Sequence, residues 1–241
     1  MTFSAVSAAS RSARSRSMMA TFSPRSLANL VMWFDADNAA SVQIATGVSA
    51  WTSTITPQIT ATQGTPNNQP AYQTNQQNGR NAIYFDGSND QMTLGDRSAL
   101  FPSAASVVVA FRPDSDSTYQ LIRTHSGGNS YWQSDFGTAN RTYIQTFKGS
   151  RITNVATTIP TSGNSVVSIT SDSSAYRVYV GTSVAHDVAA DFSAGTAHAI
   201  GPSDGGDTYK GWLYEILYFS RALSAAEVTI LNSYLSWKWR I

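Results

Sequence analysis

The chain has 241 residues, a formal net charge of +1 and no cysteine. The near-zero charge gives no basic field for nucleic-acid binding, and the missing cysteine excludes disulfides, thiol catalysis and cysteine metal sites. Charged residues make up only 13% of the chain, with glutamate at Glu215 and Glu227 alone, which favours strands and loops over helices. No apolar run approaches the ~18 residues needed to cross a membrane.

Residues 1–26 form an Arg- and Ser-rich arm without any acidic residue. Its arginines are Arg11, Arg14, Arg16 and Arg25. No apolar core follows them, so we predict no secretory signal peptide, although the composition also fits a mitochondrial transit peptide. A polar arm needs a surface to hold it. That surface is either its own domain or a neighbouring subunit, and we predict an assembly arm.

Residues 27–241 show the pattern of one all-β domain. A first core strand is predicted over residues 27–37, and residues 56–78, rich in Gln, Asn, Thr and Pro, predict a long surface loop. The Asp-Gly pair in residues 86–90 predicts a turn. Short strands with turns between them favour an antiparallel sandwich or barrel. They are predicted over 48–51, 82–85, 91–94, 106–111, 119–124, 130–136, 141–147, 165–170, 175–180, 198–201 and 212–219.

The end of the chain predicts a buried strand followed by a short helix. Residues 212–219 carry large apolar side chains on both faces, interrupted by Glu215. Ser224 and Glu227 have the spacing of a capping box, which marks a helix start. Residues at helical spacing then form one apolar face: Val228, Leu231, Leu235 and Trp239.

Several landmarks resemble those of a known family. They are the segment LVMWFDAD at residues 30–37, Trp51, the segment from Gly79 to Asp90, and residues 209–239. In these the chain is similar to concanavalin A-like, laminin-G-like modules of phage structural proteins and bacterial surface proteins. The resemblance implies a two-sheet antiparallel jelly roll with a short C-terminal helix. The family often has a polar turn after the tryptophan, where this chain has Thr52-Ser53-Thr54.

No catalytic constellation is apparent, so we predict a protein that is not an enzyme. Glycosidases of this fold use two glutamates and an aspartate, whereas Glu215 has no acid two residues away and Glu227 is a helix-cap residue. A Ser-His-Asp hydrolase site has three candidate histidines: His125, His186 and His198. None of them lies beside a Gly-x-Ser-x-Gly turn, which carries the nucleophilic serine in such enzymes.

Two kinds of binding site remain as candidates. Ca²⁺ needs several loop oxygens, for which Asp86 with Asp90, or Asp204 with Asp207, are weak candidates; otherwise no cofactor is predicted. Candidate glycan contacts are an aromatic and acidic group near one strand: Tyr119, Tyr131, Trp132 and Asp135. The other tryptophans are predicted to be core residues: Trp33, Trp51, Trp212, Trp237 and Trp239.

The leading hypothesis is a non-enzymatic virion structural protein on a phage particle. The arm would anchor a homo-oligomeric module to other virion proteins of the capsid or tail, with outer loops free to contact host surface carbohydrate. The first alternative is a soluble carbohydrate-binding, lectin-like module. The second alternative is a polysaccharide hydrolase or lyase. One fold hosts many functions, so the resemblance alone does not choose among them.

Overall fold

A computed structural model describes residues 21–100, 104–114, 118–123, 131–137, 141–148, 150–157, 163–172, 174–188, 198–201 and 209–241. In this part of the chain there are seventeen strands and a C-terminal helix, α1 (Ala225–Trp239). The strands are β1 (Leu30–Asp35), β2 (Val42–Ile44), β3 (Val48–Thr52), β4 (Thr60–Thr62), β5 (Ala71–Gln77), β6 (Arg80–Asp86), β7 (Met92–Gly95), β8 (Ala105–Pro113), β9 (Thr118–Arg123), β10 (Tyr131–Gly137), β11 (Arg141–Lys148), β12 (Ser150–Thr157), β13 (Ser165–Ser171), β14 (Tyr176–Val180), β15 (Ser183–Val188), β16 (His198–Ile200) and β17 (Lys210–Phe219).

The strands form two antiparallel sheets, which confirms the predicted jelly-roll sandwich. Sheet I has the order β15-β14-β13-β8-β17-β6-β5, with β1 also paired to β17. Sheet II has the order β12-β11-β10-β9-β16-β7-β4-β3-β2. Between the sheets lies an apolar core with members from both, such as Phe34, Phe111 and Ile216 of sheet I and Trp51 and Ile122 of sheet II.

Strand β17 is the centre of sheet I. One of its edges pairs with β8 from Gly211 to Phe219, and its other edge pairs first with β6 and then with β1. A bulge in the β8 pairing near Tyr214 changes the alternation of side chains. Tyr214 and the next residue, Glu215, consequently both contact α1, and Ile216 returns to the core between the sheets. A bulge commonly re-aims a side chain in this way.

Helix α1 covers the outer face of sheet I. Its predicted apolar face is confirmed, because Val228, Leu231, Leu235 and Trp239 are all completely buried. They pack against outward-facing residues of β8 and β17, and Tyr214 stacks on Trp239 with ring centroids 5.0 Å apart. Burying each such side chain contributes about 1.5–3 kcal/mol. Sheet I is thus covered on both faces at these strands, which explains why β8 and β17 are apolar over most of their length.

The predicted loop over residues 56–78 is wrong. This segment contains β4, a 3₁₀ turn (Pro66–Asn68) and β5, which is the edge strand of sheet I. Most of the β5 side chains face solvent or are only half-buried, so the strand needs no apolar alternation. Strands β2, β12 and β15 likewise lie where the sequence predicts no strand.

Candidate functional site

Glu215 is completely buried, and four donors converge on its carboxylate. Lys238 Nζ donates to Oε2 at 2.7 Å and Trp239 Nε1 to Oε2 at 2.8 Å. Trp33 Nε1 donates to Oε1 at 2.7 Å, and the Tyr234 hydroxyl adds a longer bond of 3.3 Å to Oε1. A buried carboxylate is tolerated only when it is paired and hydrogen-bonded in this way. The glutamate therefore joins β17 to both β1 and α1.

A second carboxylate shares the same ammonium group. Lys238 Nζ lies 2.7 Å from Asp35 Oδ2 as well as 2.7 Å from Glu215 Oε2. Asp35 and Glu215 are direct partners in the β1–β17 pairing, which local sequence spacing could not reveal. Burial raises the pKa of Glu215, and the positive charge of Lys238 opposes that rise. A glycosidase pair must reach its substrate, whereas Glu215 of this pair is completely buried and bonded to two indoles.

Glu227 is held at the start of α1. Arg221 donates two hydrogen bonds to its carboxylate, from NH1 to Oε2 at 2.9 Å and from NH2 to Oε1 at 2.6 Å. The Ser224 amide donates to Oε2 at 2.9 Å, and the Glu227 amide donates to Ser224 Oγ at 3.3 Å, so the predicted capping box is confirmed. The bonds from Arg221 lower the pKa of Glu227 to about 2. Both glutamates of the chain are thus engaged in structural contacts.

The acidic turn after β6 is organised by its own backbone. The Asp86 amide donates to Asp90 Oδ2 at 2.8 Å, and the Ser88 amide donates to Asp86 Oδ1 at 2.7 Å. Burial raises the pKa of Asp90 to about 6. Among the residues that the structure describes, no three acids or histidines are grouped so that they could hold a metal ion. Asp204 and Asp207 lie outside the described residues, so the Ca²⁺ hypothesis stays a prediction.

The predicted glycan contacts fall on adjacent strands. In the β9–β10 pairing Trp132 lies opposite Ile122, and Ser134 lies opposite Tyr119. The backbones of Tyr119, Tyr131, Trp132 and Asp135 are placed by these pairings, whereas their side chains lie outside the described structure. Their role stays a prediction.

The histidines show no catalytic arrangement in the described chain. His198 is buried in β16, where its Nδ1 accepts a bond of 3.2 Å from the Arg97 amide. His125 and the side chain of His186 lie outside the description.

The described end of the arm rests on its own domain. The Arg25 guanidinium lies 5.6 Å from the centre of the Trp33 ring and donates to the Thr54 carbonyl. Phe22 meets Tyr234 of α1 edge-on, with ring centroids 5.7 Å apart. Arg11, Arg14 and Arg16 lie outside the described residues, so the assembly role of the arm stays a prediction.

A groove of about 550 Å³ opens where α1 ends. Its lining comes from the turn between β5 and β6 and from the last turn of the helix: Asn78, Arg80, Ser236, Trp237 and Arg240. Trp237 is 38% exposed, so its predicted place in the core is wrong. Successive helix residues are rotated by about 100°. Trp237 therefore faces away from Leu235 and Trp239, which occupy the buried face.

The groove exists because the β5–β6 turn caps the helix. Gln77 Nε2 donates to the Trp239 carbonyl at 2.7 Å, while Asn78 Nδ2 and Arg80 Nε donate to the Lys238 carbonyl at 2.8 and 3.0 Å. Asn78 has φ of 51°, a left-handed conformation that asparagine tolerates. These bonds satisfy carbonyls that every helix end leaves free. They also fix Asn78 and Arg80 beside Trp237.

Comparison with protein families identifies the chain. A model described as the concanavalin A-like lectin/glucanases superfamily matches residues 86–229. The chain belongs to this superfamily. No curated protein sequence matches the chain. Among the described residues, no helix is long and apolar enough to cross a membrane.

Several solved structures share the fold of this chain at low sequence identity. Domain 4 of a GH43 extracellular arabinanase from Geobacillus stearothermophilus, in complex with arabinotriose, is 20% identical with a TM-score of 0.63, and the match covers 85% of this chain and 98% of that domain. The binding domain of Paraclostridial Mosquitocidal Protein 1 is 10% identical with a TM-score of 0.58, covering 85% of this chain and 52% of that one. Trypanosoma rangeli sialidase in complex with sialic acid is 14% identical with a TM-score of 0.62, covering 95% of this chain and 38% of the enzyme. The chain therefore spans only part of the last two proteins.

Proposed function

We propose that the chain is a non-enzymatic carbohydrate-binding module of the lectin type. The observation that carries the proposal is the groove beside α1, where Trp237 is exposed next to Asn78, Arg80 and Arg240. An aromatic face with a few convergent hydrogen-bonding groups is the usual composition of a small-molecule site. The faces of sugar rings and their hydroxyls match these two kinds of contact.

The similar structures support the same class of function. One of them is an arabinanase domain in complex with arabinotriose, and another is the binding domain of a toxin. Each matches this chain over a whole domain or a large part of one. In other proteins the fold thus forms a domain that is in complex with a carbohydrate or that is called a binding domain.

The absence of enzymatic activity belongs to the proposal. A retaining glycosidase needs two accessible carboxyl groups about 5 Å apart. Glu215 is enclosed by Trp33 and Trp239, and Glu227 holds the start of α1. Neither side chain is placed to protonate a glycosidic oxygen.

The test is binding on a glycan array, followed by affinity measurements with each hit. Trp237→Ala should abolish binding, because it removes the aromatic surface of the groove. Ile44→Ala, which truncates another exposed apolar residue on the distant sheet II, is the matched control and should bind normally. Trp132→Ala tests the other predicted glycan site in the same assay. Glycan binding lost with Trp132→Ala and kept with Trp237→Ala would refute the groove, and turnover on a polysaccharide panel would refute a non-enzymatic role.

Attachment to a phage particle is the second candidate function. It is favoured by the way Phe22 and Arg25 fasten the base of the arm against Tyr234 and Trp33. The preceding arginines could then meet an acidic surface of other virion proteins or of a second copy of the chain. Arg11, Arg14 and Arg16 changed together to Ala should lower occupancy on particles while folding is preserved. Unchanged occupancy, or a protein that never associates with particles, would contradict this role.

A further inference from the structure

The lining of the groove is cationic. Two of its five lining residues, Arg80 and Arg240, carry guanidinium groups, and none of the five is acidic. The remaining side chains are an amide, a hydroxyl and an indole. A ligand enclosed here would meet positive charge and hydrogen-bond donors beside the face of Trp237.

Near the groove, two cations are already paired with three carboxylates. Asp35 and Glu215 both bind Lys238, and Asp37 binds the NH1 group of Arg80. Arg240 stands apart, because no residue in the described ranges forms an ion pair with it. Its charge is therefore available to a ligand. Arg80 uses two of its five N–H donors, one at Nε and one at NH1, and the other three are also available.

The C-terminal end of a helix normally repels an anion, because its free carbonyl groups carry partial negative charge. Here the Lys238 and Trp239 carbonyls accept bonds from Gln77, Asn78 and Arg80. The Ser236 carbonyl accepts a bond from the amide of Arg240. These donors offset the partial negative charge at this end of α1, and Arg240 adds a positive charge to the groove that no acid in the described ranges pairs.

We propose that the groove selects sugars that carry a carboxylate. The inference rests on the proposed carbohydrate-binding function and specifies its ligand class. The sugar ring lies against Trp237, and the carboxylate accepts hydrogen bonds from Arg240 and from the free donors of Arg80. A hydrogen bond between a guanidinium and a carboxylate is roughly twice as strong as one between neutral groups.

Pairs of ligands that differ only in the acid provide the test. One pair is polygalacturonate and its methyl ester, and the other is sialyllactose and lactose. Titration calorimetry should show that the acidic member of at least one pair binds about tenfold or more tightly, as expected for a charge-assisted bond. The preference should fall at high salt. Comparing the two pairs separates uronic acids from sialic acids as the source of the carboxylate.

Three variants assign the preference to residues. Arg240→Gln should bring the acidic and neutral ligands to equal affinity. Lys210→Gln removes an equal charge at the far end of β6, where Lys210 pairs with Asp86, and should keep the preference. Trp237→Ala should lose both members of a pair.

The outcomes distinguish this inference from the proposed function. Neutral and acidic sugars bound equally through Trp237 would overturn the carboxylate preference and leave the carbohydrate-binding function intact. A preference that survives Arg240→Gln would overturn the assignment to the groove arginines. Absence of binding to every glycan on the array would overturn both proposals.

Discussion

The two ends of α1 are capped in different ways. At the first turn, Ser224 and Arg221 hold Glu227, and all three residues lie within seven positions of one another. At the last turn, the carbonyls of Lys238 and Trp239 accept bonds from Gln77, Asn78 and Arg80, which lie about 160 positions earlier in the chain. One end is closed by its own neighbours and the other by a distant hairpin.

This difference explains where the candidate site lies. The cap at the first turn is made by side chains from the same short stretch of the chain. A cap made by a distant turn brings two remote parts of the chain together, and the space between them becomes the groove beside Trp237. Variants at the two ends should therefore separate the stability of the helix from the binding that only the second end provides.

The largest effect is expected for Glu215→Ala, which removes the centre of the network that fastens the last turn of α1. The change leaves Lys238 with Asp35 alone and leaves two indole N–H groups without an acceptor. Breaking a buried ion pair in this way costs about 3–5 kcal/mol. Urea unfolding gives the value, with Glu215→Gln as a milder control of the same shape. A loss below about 1 kcal/mol would show that the network is dispensable.

Glu227→Ala tests the local cap and should lower the free energy of unfolding by about 2 kcal/mol. It removes the Arg221 pair and half of the capping box. Glycan binding should be unchanged, since the groove lies at the other end of the helix. A reduced glycan affinity, measured under conditions where the variant is fully folded, would contradict the independence of the two ends.

The same residue should give the protein a defined acid sensitivity. In the folded protein the bonds from Arg221 lower the pKa of Glu227 to about 2, from the ordinary glutamate value of 4.5. The unfolded chain therefore binds more protons in this range, and the stabilisation present above pH 4.5 is lost as the pH falls towards 2. The difference in unfolding free energy between the wild type and Glu227→Gln should shrink over that interval. A difference that stays constant would exclude this linkage.

Asn78→Gly tests the distant cap and should cost about 0.5–1 kcal/mol. Glycine keeps the left-handed backbone at this position, so the change removes only the side-chain bond to the Lys238 carbonyl. Because Asn78 also lines the groove, affinity for glycans should fall with it. Full affinity in this variant would show that the turn is not needed to shape the site.

Trp237→Ala should have the smallest effect on stability, within about 0.5 kcal/mol, because the side chain lies on the surface. It should have the largest effect on binding. Thermal unfolding and glycan affinity measured on the same sample test both statements. A large loss of stability would mean that Trp237 serves the fold rather than a ligand.

Features that depend on neighbouring residues could be predicted from the sequence. The capping box, the apolar face of α1 and the largely apolar strands β8 and β17 are all local patterns, and each is confirmed. The polar edge strand β5 was not recognised, because a strand with little burial shows no alternation. The partnership of Asp35 with Glu215 and Lys238 depends on β-sheet register, and the groove depends on a hairpin reaching a helix 160 positions away. Neither has a local pattern.

The central position of β17 also constrains the order in which the protein can fold. Strands β1, β6 and β8 are synthesised early, yet all three find a neighbour in β17. Until residue 219 has left the ribosome, the apolar edge of β8 has no partner on that side. Such long-range pairing slows folding and leaves strand edges open to aggregation. A nascent chain would therefore need protection at this edge from the synthesis of β8 until β17 has emerged.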